Sequence, residues 1–599
     1  MGHTPHRDEG FAPIGEYGII GDGQSLALVA ADGAIDWWAV PAMNDPPVFG
    51  ALLDPDTGGR FALAPAVPYQ VRRRYLPGTN VLETTFTTDA GAVSVVDALN
   101  RDVDGLPGWA ELVREVRPAD GEVPMRWQVS PGTRLRQSRP WAWQQAGTPV
   151  LRAGGLMAAL VSEDAGQPVL GPGSIGGEFT ARAGRRPLLA LVVTGRAPVR
   201  APRPGRVRER LRATEDAWRR WSGTLSYHGP DRDLVVRSAL ALKMLTHAPT
   251  GALMAAGTTS LPERVGAQRN FDYRFGWIRD TSFALEALMR LGLERETHQT
   301  LSWMIAAIRG TAPDIKPFYT LSGGVPGGEA ELPVRGYQDS RPAHDGNQAA
   351  SQRQWGNYGD LLECVCLAVE MGGAVLDPET ARMLELIADR VCDRWPEPDS
   401  GIWELGDQEH YTISKLACWT ALDRMVRLAE RGQVAARDVP RWRAEAAAIR
   451  AWVDEHCWSP AKRSYTFYAG TDDLDASVLL AGRMGFLAGD DPRFVQTIDA
   501  IRAELAEGAL VYRYTGSREQ EGAFVACSFW LVDALARAGR VKQAREVWEG
   551  VTEFAGDAGL LSEEIDPVSG EQRGNVPQAL SHLALLTAAW QISDGQGQA

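Results

Sequence analysis

The feature that most constrains this chain is a change of hydrophobic period near residue 230. Before it, apolar residues alternate in short runs bounded by turn signals. After it, they recur every three to four residues. The first pattern belongs to half-buried strands and the second to amphipathic helices. Leu26–Ala30 leads into Asp32-Gly33 and then Ile35–Val40, and Val81–Thr88, Asp89-Ala90-Gly91 and Val93–Val96 repeat the arrangement. Apolar runs flanking Asp-Gly are a strong hairpin signal. Further strands are expected at 110–116, 126–129, 158–161 and 188–193, which together predict a β-sandwich. Pro-rich 201–205 ends this pattern, and the charged helical stretch 206–221 reads as a connector.

From 231 onward the period predicts twelve helices, over 234–247, 280–292, 296–309, 355–371, 378–395, 412–431, 436–456, 472–486, 495–505, 521–538, 540–556 and 577–591. Helices of similar length joined by alternately short and long loops fit six hairpins, and six hairpins can close into an (α/α)6 barrel. The longer loops would then share one end and form a pocket, and the longest, 310–354, belongs at that mouth. At 599 residues the chain exceeds one core. The expected plan is multidomain β + α: a sandwich over 1–205, a helical linker over 206–230 and a barrel over 231–599.

Charge and cysteine usage narrow the function. A net charge of -14 argues against a nucleic-acid partner, since phosphate binding wants clustered Lys and Arg. Neither a secretory h-region nor a run long enough to span a bilayer is seen, so a cytoplasmic protein without a membrane partner is expected. The six cysteines form no C-x-x-C pair and suit buried, reduced thiols. The nine histidines show no metal-ligand spacing, so neither metal nor cofactor is expected. Self-association into a homo-oligomer stays open.

Two glutamates carry the chemical signal. Glu404 ends Gly401-Ile402-Trp403-Glu404, and Glu563 ends Leu560-Leu561-Ser562-Glu563. A carboxyl held against Trp and Leu is disfavoured as an anion and can keep a proton near neutral pH, while a second, wetter carboxylate can activate water. That division of labour is the chemistry of glycoside hydrolysis.

An ordered set of segments places the chain by resemblance. These are Ile14–Gly23, Gly33–Trp37, Tyr75–Leu82, Arg269–Asp280, Gly336-Tyr337 with Ser340-Arg341-Pro342, Gly401–Glu404, Glu521–Phe524 with Cys527–Trp530, Leu561–Glu564, and Gly574-Asn575 with Pro577–Ala579 and Ser581-His582. Together they resemble glycoside hydrolase family 15, the glucoamylases, glucodextranases and prokaryotic trehalases. The resemblance implies a β-sandwich followed by an (α/α)6 barrel, and a small-molecule carbohydrate as substrate. It implies Glu404 as general acid and Glu563 as general base. Arg279 and Asp280 would grip the non-reducing glucose, Tyr273 and Trp277 would wall that subsite, and Arg341 would lie near the next one. Trp403, Lys415 and Glu564, within or beside matched segments, join them as candidate substrate-binding residues. The chain departs from the family's pattern at Gly356 beside Trp355 and at Ile413 in Thr412-Ile413-Ser414-Lys415. The implied activity is exo-acting, inverting hydrolysis of a small α-glucoside, trehalose first, then malto- or isomalto-oligosaccharides. The readings from other classes are a silent sugar-binding protein on the same scaffold and a phosphorylase or transferase.

Overall fold

A computed structural model of the chain describes residues 2–101, 108–135, 138–195 and 199–596. The N-terminal part is antiparallel and consists of two packed sheets. One strand, Trp109–Pro131, serves both. Its first half pairs with Gly91–Leu99 and Leu188–Thr194, and its second half with Gly59–Pro65 and Ile175–Arg182. The inner faces interdigitate through Ile20, Val29, Trp38 and Phe61 from one sheet and Phe86, Val95, Leu112 and Leu191 from the other. The Asp32-Gly33 hairpin forms as the sequence predicts, between Leu26–Ala30 and Ala34–Ala39. Gly33 is at φ +82°, where a Cβ would meet the Leu63 carbonyl oxygen at 2.4 Å, so only glycine fits. A buried ion pair laces the sheets: Arg114 Nε lies 2.7 Å from Asp97 Oδ1, and its other nitrogens donate to the carbonyls of Phe61 and Gly33.

Helix α1 (Pro204–Ser222) lies over the outer face of the second sheet. Its Val207, Leu211 and Trp218 share a core with Val96, Val113 and Ala190, which is why the strand Leu188–Thr194 is buried on both sides. Among the described residues eleven further helices follow: α2 (Arg232–Leu245), α3 (Ile278–Arg290), α4 (Glu294–Arg309), α5 (Gly356–Gly372), α6 (Pro378–Arg394), α7 (Thr412–Glu430), α8 (Val439–His456), α9 (Pro492–Leu505), α10 (Val525–Arg537), α11 (Val541–Thr552) and α12 (Ala579–Gln596). Helices α3, α5 and α7, a short 3₁₀ segment Ala476–Ala481, α10 and α12 pack each on the next and close into an inner ring. The other helices lie outside it, giving the barrel.

The segment 472–486, expected as a helix, is the exception. Only 476–481 is helical, as a 3₁₀ turn opened by Asp475 accepting from Ser477 N. Gly482 follows, where a Cβ would collide with Phe494, and Gly485 sits at φ +75°. Gly482 keeps helical angles and lets α9 approach closely, and the left-handed Gly485 takes the chain out of the helix. At one end of the barrel, short turns connect inner to outer helices. At the other, longer loops lead from outer to inner helices, and the segment between α4 and α5 is the longest. It is pinned by Phe318–Tyr319 pairing with Gly276–Trp277 and by Ala330–Leu332 pairing with Ala343–Asp345.

Candidate active site

The loops entering the inner helices converge on a cavity of about 400 Å³ lined by Tyr273, Trp277, Arg279, Asp280, Trp403, Glu404, Arg513 and Glu563, among others. Each wall residue is held by the loop that carries it. Trp277 precedes α3, stacks on Phe318 at 4.1 Å and stands edge-on to Tyr273 at 5.4 Å between ring centroids. Asp280 opens the first turn of α3, where the helix dipole favours a carboxylate. Its Oδ2 accepts from Arg279 Nε at 3.2 Å, while Oδ1 is buried with no protein hydrogen bond among the described residues. Arg279 Nη1 donates to the Ile402 carbonyl at 2.9 Å, tying α3 to the loop of Glu404.

Glu404 adopts the left-handed backbone region, at φ +58°. For a non-glycine residue this costs on the order of 1–3 kcal/mol and is characteristic of functional sites. Trp277 Nε1 donates to its Oε1 at 2.7 Å. Burial raises the Glu404 pKa, opposed chiefly by the Arg279 guanidinium and then by the Trp277 hydrogen bond. Trp403 beside it is fixed by donating to Asp475 Oδ1 at 2.9 Å and by the rings of Phe524 and Trp530.

Glu563 is fixed from α12. His582 is buried and pushed down to about 3, so it is neutral and its Nε2 accepts from Leu561 N at 3.2 Å. Ser581 Oγ donates to the Ser562 carbonyl at 2.8 Å, and Ser562 N donates to Gln572 Oε1. Gly574 packs against Glu563, where a Cβ would fall 2.5 Å from Oε2. Burial and then the nearby Glu263 raise the Glu563 pKa to about 8, with Arg513 pulling the other way.

Behind Glu563 lies a knot of charge. Arg513 Nε bonds Glu521 Oε1 at 2.6 Å, and its Nη2 lies 2.9 Å from Glu263 and 3.5 Å from Glu564 Oε1. Arg269 also pairs with Glu521. Buried carboxyls outnumber guanidiniums here, and burial holds both Glu263 and Glu564 above the ordinary carboxylate range. Glu263, Glu521 and Glu564 lie close enough together to suggest metal ligands, but Arg513 already fills the space between them with its own charge.

Of the residues singled out from sequence, Tyr273, Trp277, Arg279, Asp280, Trp403, Glu404 and Glu563 meet in the cavity. Three do not line it. Arg341 is exposed on the long loop and its Nε donates to the Arg335 carbonyl at 3.1 Å, because Asn270 and Ser260 fasten its neighbours Pro342 and His344 inward and leave it outward. Lys415 is buried in α7, its Nζ donating to the carbonyls of Trp395 and Glu397 at 2.5 and 2.7 Å, so it closes the end of α6. Glu564 points into the charge knot, its Oε2 accepting from Gly522 N at 2.9 Å. Arg513, Gln578, Ala255, Ile402 and Phe524 line the cavity without having been picked out. The one available signal for Arg513 was its place between Tyr512 and Tyr514 in a loop entering an inner helix.

The placement of Lys415 makes a prediction. Lys415→Met is expected to leave KM within about twofold and to destabilise the fold by about 2–3 kcal/mol, through two buried carbonyls losing a charged donor. Urea unfolding together with substrate kinetics checks it, and a selective rise in KM would return Lys415 to the site.

A sandwich feeding an (α/α)6 barrel, with two carboxyls facing each other's surroundings across a narrow polar pocket, defines a class, the barrel glycosidases. The sequence model of the glycosyl hydrolases family 15 matches residues 229–590, and that of the trehalase-like N-terminal domain matches residues 7–134. The chain belongs to glycosyl hydrolase family 15 and is a glycoside hydrolase. A trehalase of Mycolicibacterium smegmatis is 37% identical, with 98% of this chain and 92% of the relative covered. A trehalase of Thermoplasma volcanium is 31% identical over 98% of this chain and 94% of the relative. Among solved structures, a bacterial glucoamylase complexed with acarbose superposes with a TM-score of 0.73 over 99% of this chain and 96% of its own, at 13% identity, which speaks for the fold alone.

Proposed function

We propose that the protein is an exo-acting, inverting α-glucoside hydrolase and that its substrate is trehalose. The observation carrying this reading is the convergence of Glu404, Glu563 and the Arg279–Asp280 pair on one small cavity. The full-length similarity to trehalases supports the choice of sugar. In this reading Asp280 Oδ1 accepts from a hydroxyl of the bound glucosyl ring and Arg279 donates to another, holding the sugar in a near-attack pose. Tyr273 and Trp277 close its flanks. Glu404, whose burial favours the protonated form, gives its proton to the glycosidic oxygen as the C1–O bond breaks. Glu563, once ionised, removes a proton from a water that attacks C1 from the opposite face. A cytoplasmic setting goes with this reading and is supported by six unpaired cysteines, all buried. Among the described residues, no helix is long and apolar enough to cross a membrane.

Proton NMR of the first products tests the mechanism. Inversion at one half of trehalose yields equal β- and α-glucose before mutarotation, one from the attacked ring and one from the leaving ring. Retention would yield α-glucose alone and overturn the reading. Including maltose and isomaltose in the same experiment tests the choice of sugar: faster turnover of either would displace trehalose.

A further inference from the structure

We propose that Gln352 and Gln354 form a clamp that positions Glu404, so that the strained backbone of the acid is held in register from the loop before α5. The inference rests on the reading of Glu404 as general acid. Gln352 Nε2 donates to the Glu404 carbonyl at 2.9 Å, and Gln354 Nε2 donates to Gln352 Oε1 at 3.0 Å. Gln354 is buried, so the second amide fixes which end of the first one faces Glu404.

The same two loops are joined at three further points. Ser400 N donates to the Arg353 carbonyl at 3.0 Å, Trp355 N donates to Asp399 Oδ2 at 2.8 Å, and Arg353 Nη1 donates to Glu397 Oε2 at 2.7 Å. These bonds anchor the base of the Glu404 loop. The Glu404 peptide itself is reached by Gln352 alone among the side chains of that neighbouring loop. The contact is needed there because packing is one-sided. Ile402, Trp403 and Glu404 face the cavity, while Gln352, Gln354 and Leu405 line a second, wider cleft beside it, open to solvent. On the cleft side the left-handed residue is restrained by the directional hydrogen bond from Gln352. The clamp therefore holds Glu404 at two points, Gln352 at its backbone carbonyl and Gln354 by a hydrogen bond to its carboxyl.

The test uses two leaving groups. Trehalose needs its glycosidic oxygen protonated, whereas fluoride leaves α-glucosyl fluoride without a general acid. Gln352→Met keeps the length and removes the donor. It is expected to lower kcat on trehalose about 10²-fold, the size of effect a displacement of about 1 Å produces. On α-glucosyl fluoride it should lose less than about threefold, with KM for both within about twofold. Gln354→Met, which removes the outer link together with the Gln354 hydrogen bond to the Glu404 carboxyl, is expected to show the same selectivity at about tenfold or more, and it serves if Gln352→Met does not fold. An equal loss on both substrates, or no loss on either, overturns the clamp. Glu404→Gln is the control: if it too loses both substrates equally, the acid assignment fails, and that outcome is separate from failure of the clamp.

Discussion

Glu563→Gln is expected to lower the turnover of trehalose by about 10²–10⁴-fold while raising the melting temperature at pH 8. The loss follows from removing the base that activates water. The gain follows from the setting of Glu563. Burial and Glu263 push its pKa up to about 8, above the ordinary 4.5. A carboxyl raised in the folded state contributes stability that is fully present below its unfolded pKa and is lost as pH rises through its folded one. Glutamine cannot ionise and escapes that loss. The variant should therefore melt above the parent at pH 8 and no longer do so near pH 4.5. The same shift bears on the parent's kinetics. The acidic limb of kcat/KM should lie well above the ordinary carboxylate range, because the base works only after losing its proton. Scanning calorimetry and a pH–rate profile check both halves. Should Glu564→Gln, and not Glu563→Gln, abolish turnover, the base would have to be reassigned to the neighbouring carboxyl.

Arg513→Met should be the most damaging single change to the fold. Arg513 contacts Glu521, Glu263 and Glu564, and all four side chains are 7% exposed or less. Taking away the shared partner of a buried ion network costs about 3–5 kcal/mol, because the charges left behind have neither water nor a counterion. Arg269, which reaches Glu521 and Glu263 from the edge, compensates in part. The pH dependence identifies the cause. Glu263 and Glu564 already sit above the ordinary range with Arg513 present, and without it they rise further. Stability tied to raised carboxyls is intact below about pH 4.5 and disappears with increasing pH. The deficit of Arg513→Met relative to the parent should therefore be small near pH 5 and large at pH 8. Thermal melts at both values decide it, and an equal deficit at both would mean the guanidinium serves mainly as packing.

Much of this site could be read from the chain because its parts are local in sequence. Arg279 and Asp280 are adjacent, Tyr273 and Trp277 lie within the same turn of chain, and Glu404 and Glu563 each follow a short apolar lead-in. The change of period near 230 likewise announced the two architectures, since strand and helix patterns depend on neighbours a few residues apart. What escaped is non-local or conformational. Arg513 acquires its role from Glu263, 250 residues away. The left-handed backbone of Glu404 is imposed by its surroundings, and no residue type encodes it. Arg341 lies within a matched segment and Lys415 in the run that departs from the family's pattern at Ile413, but loop anchoring turns one outward and helix packing buries the other. The segment 472–486 has helical periodicity, but only 476–481 is helical, and the left-handed Gly485 turns the chain away.

The alternation of short turns at one end of the barrel with long loops at the other amounts to a separation of duties. The residues that line the cavity come from the loops entering α3, α7, α10 and α12 and from the first turn of α3, while the ring beneath is closed by contacts between neighbouring helices. Rewriting the cavity residues on these loops can thus retune which glucoside is accepted without reopening the question of whether the chain folds. The tight turns at the opposite end are open to grafts and fusions for the same reason. A scaffold divided in this way can diversify in specificity while its architecture stays fixed.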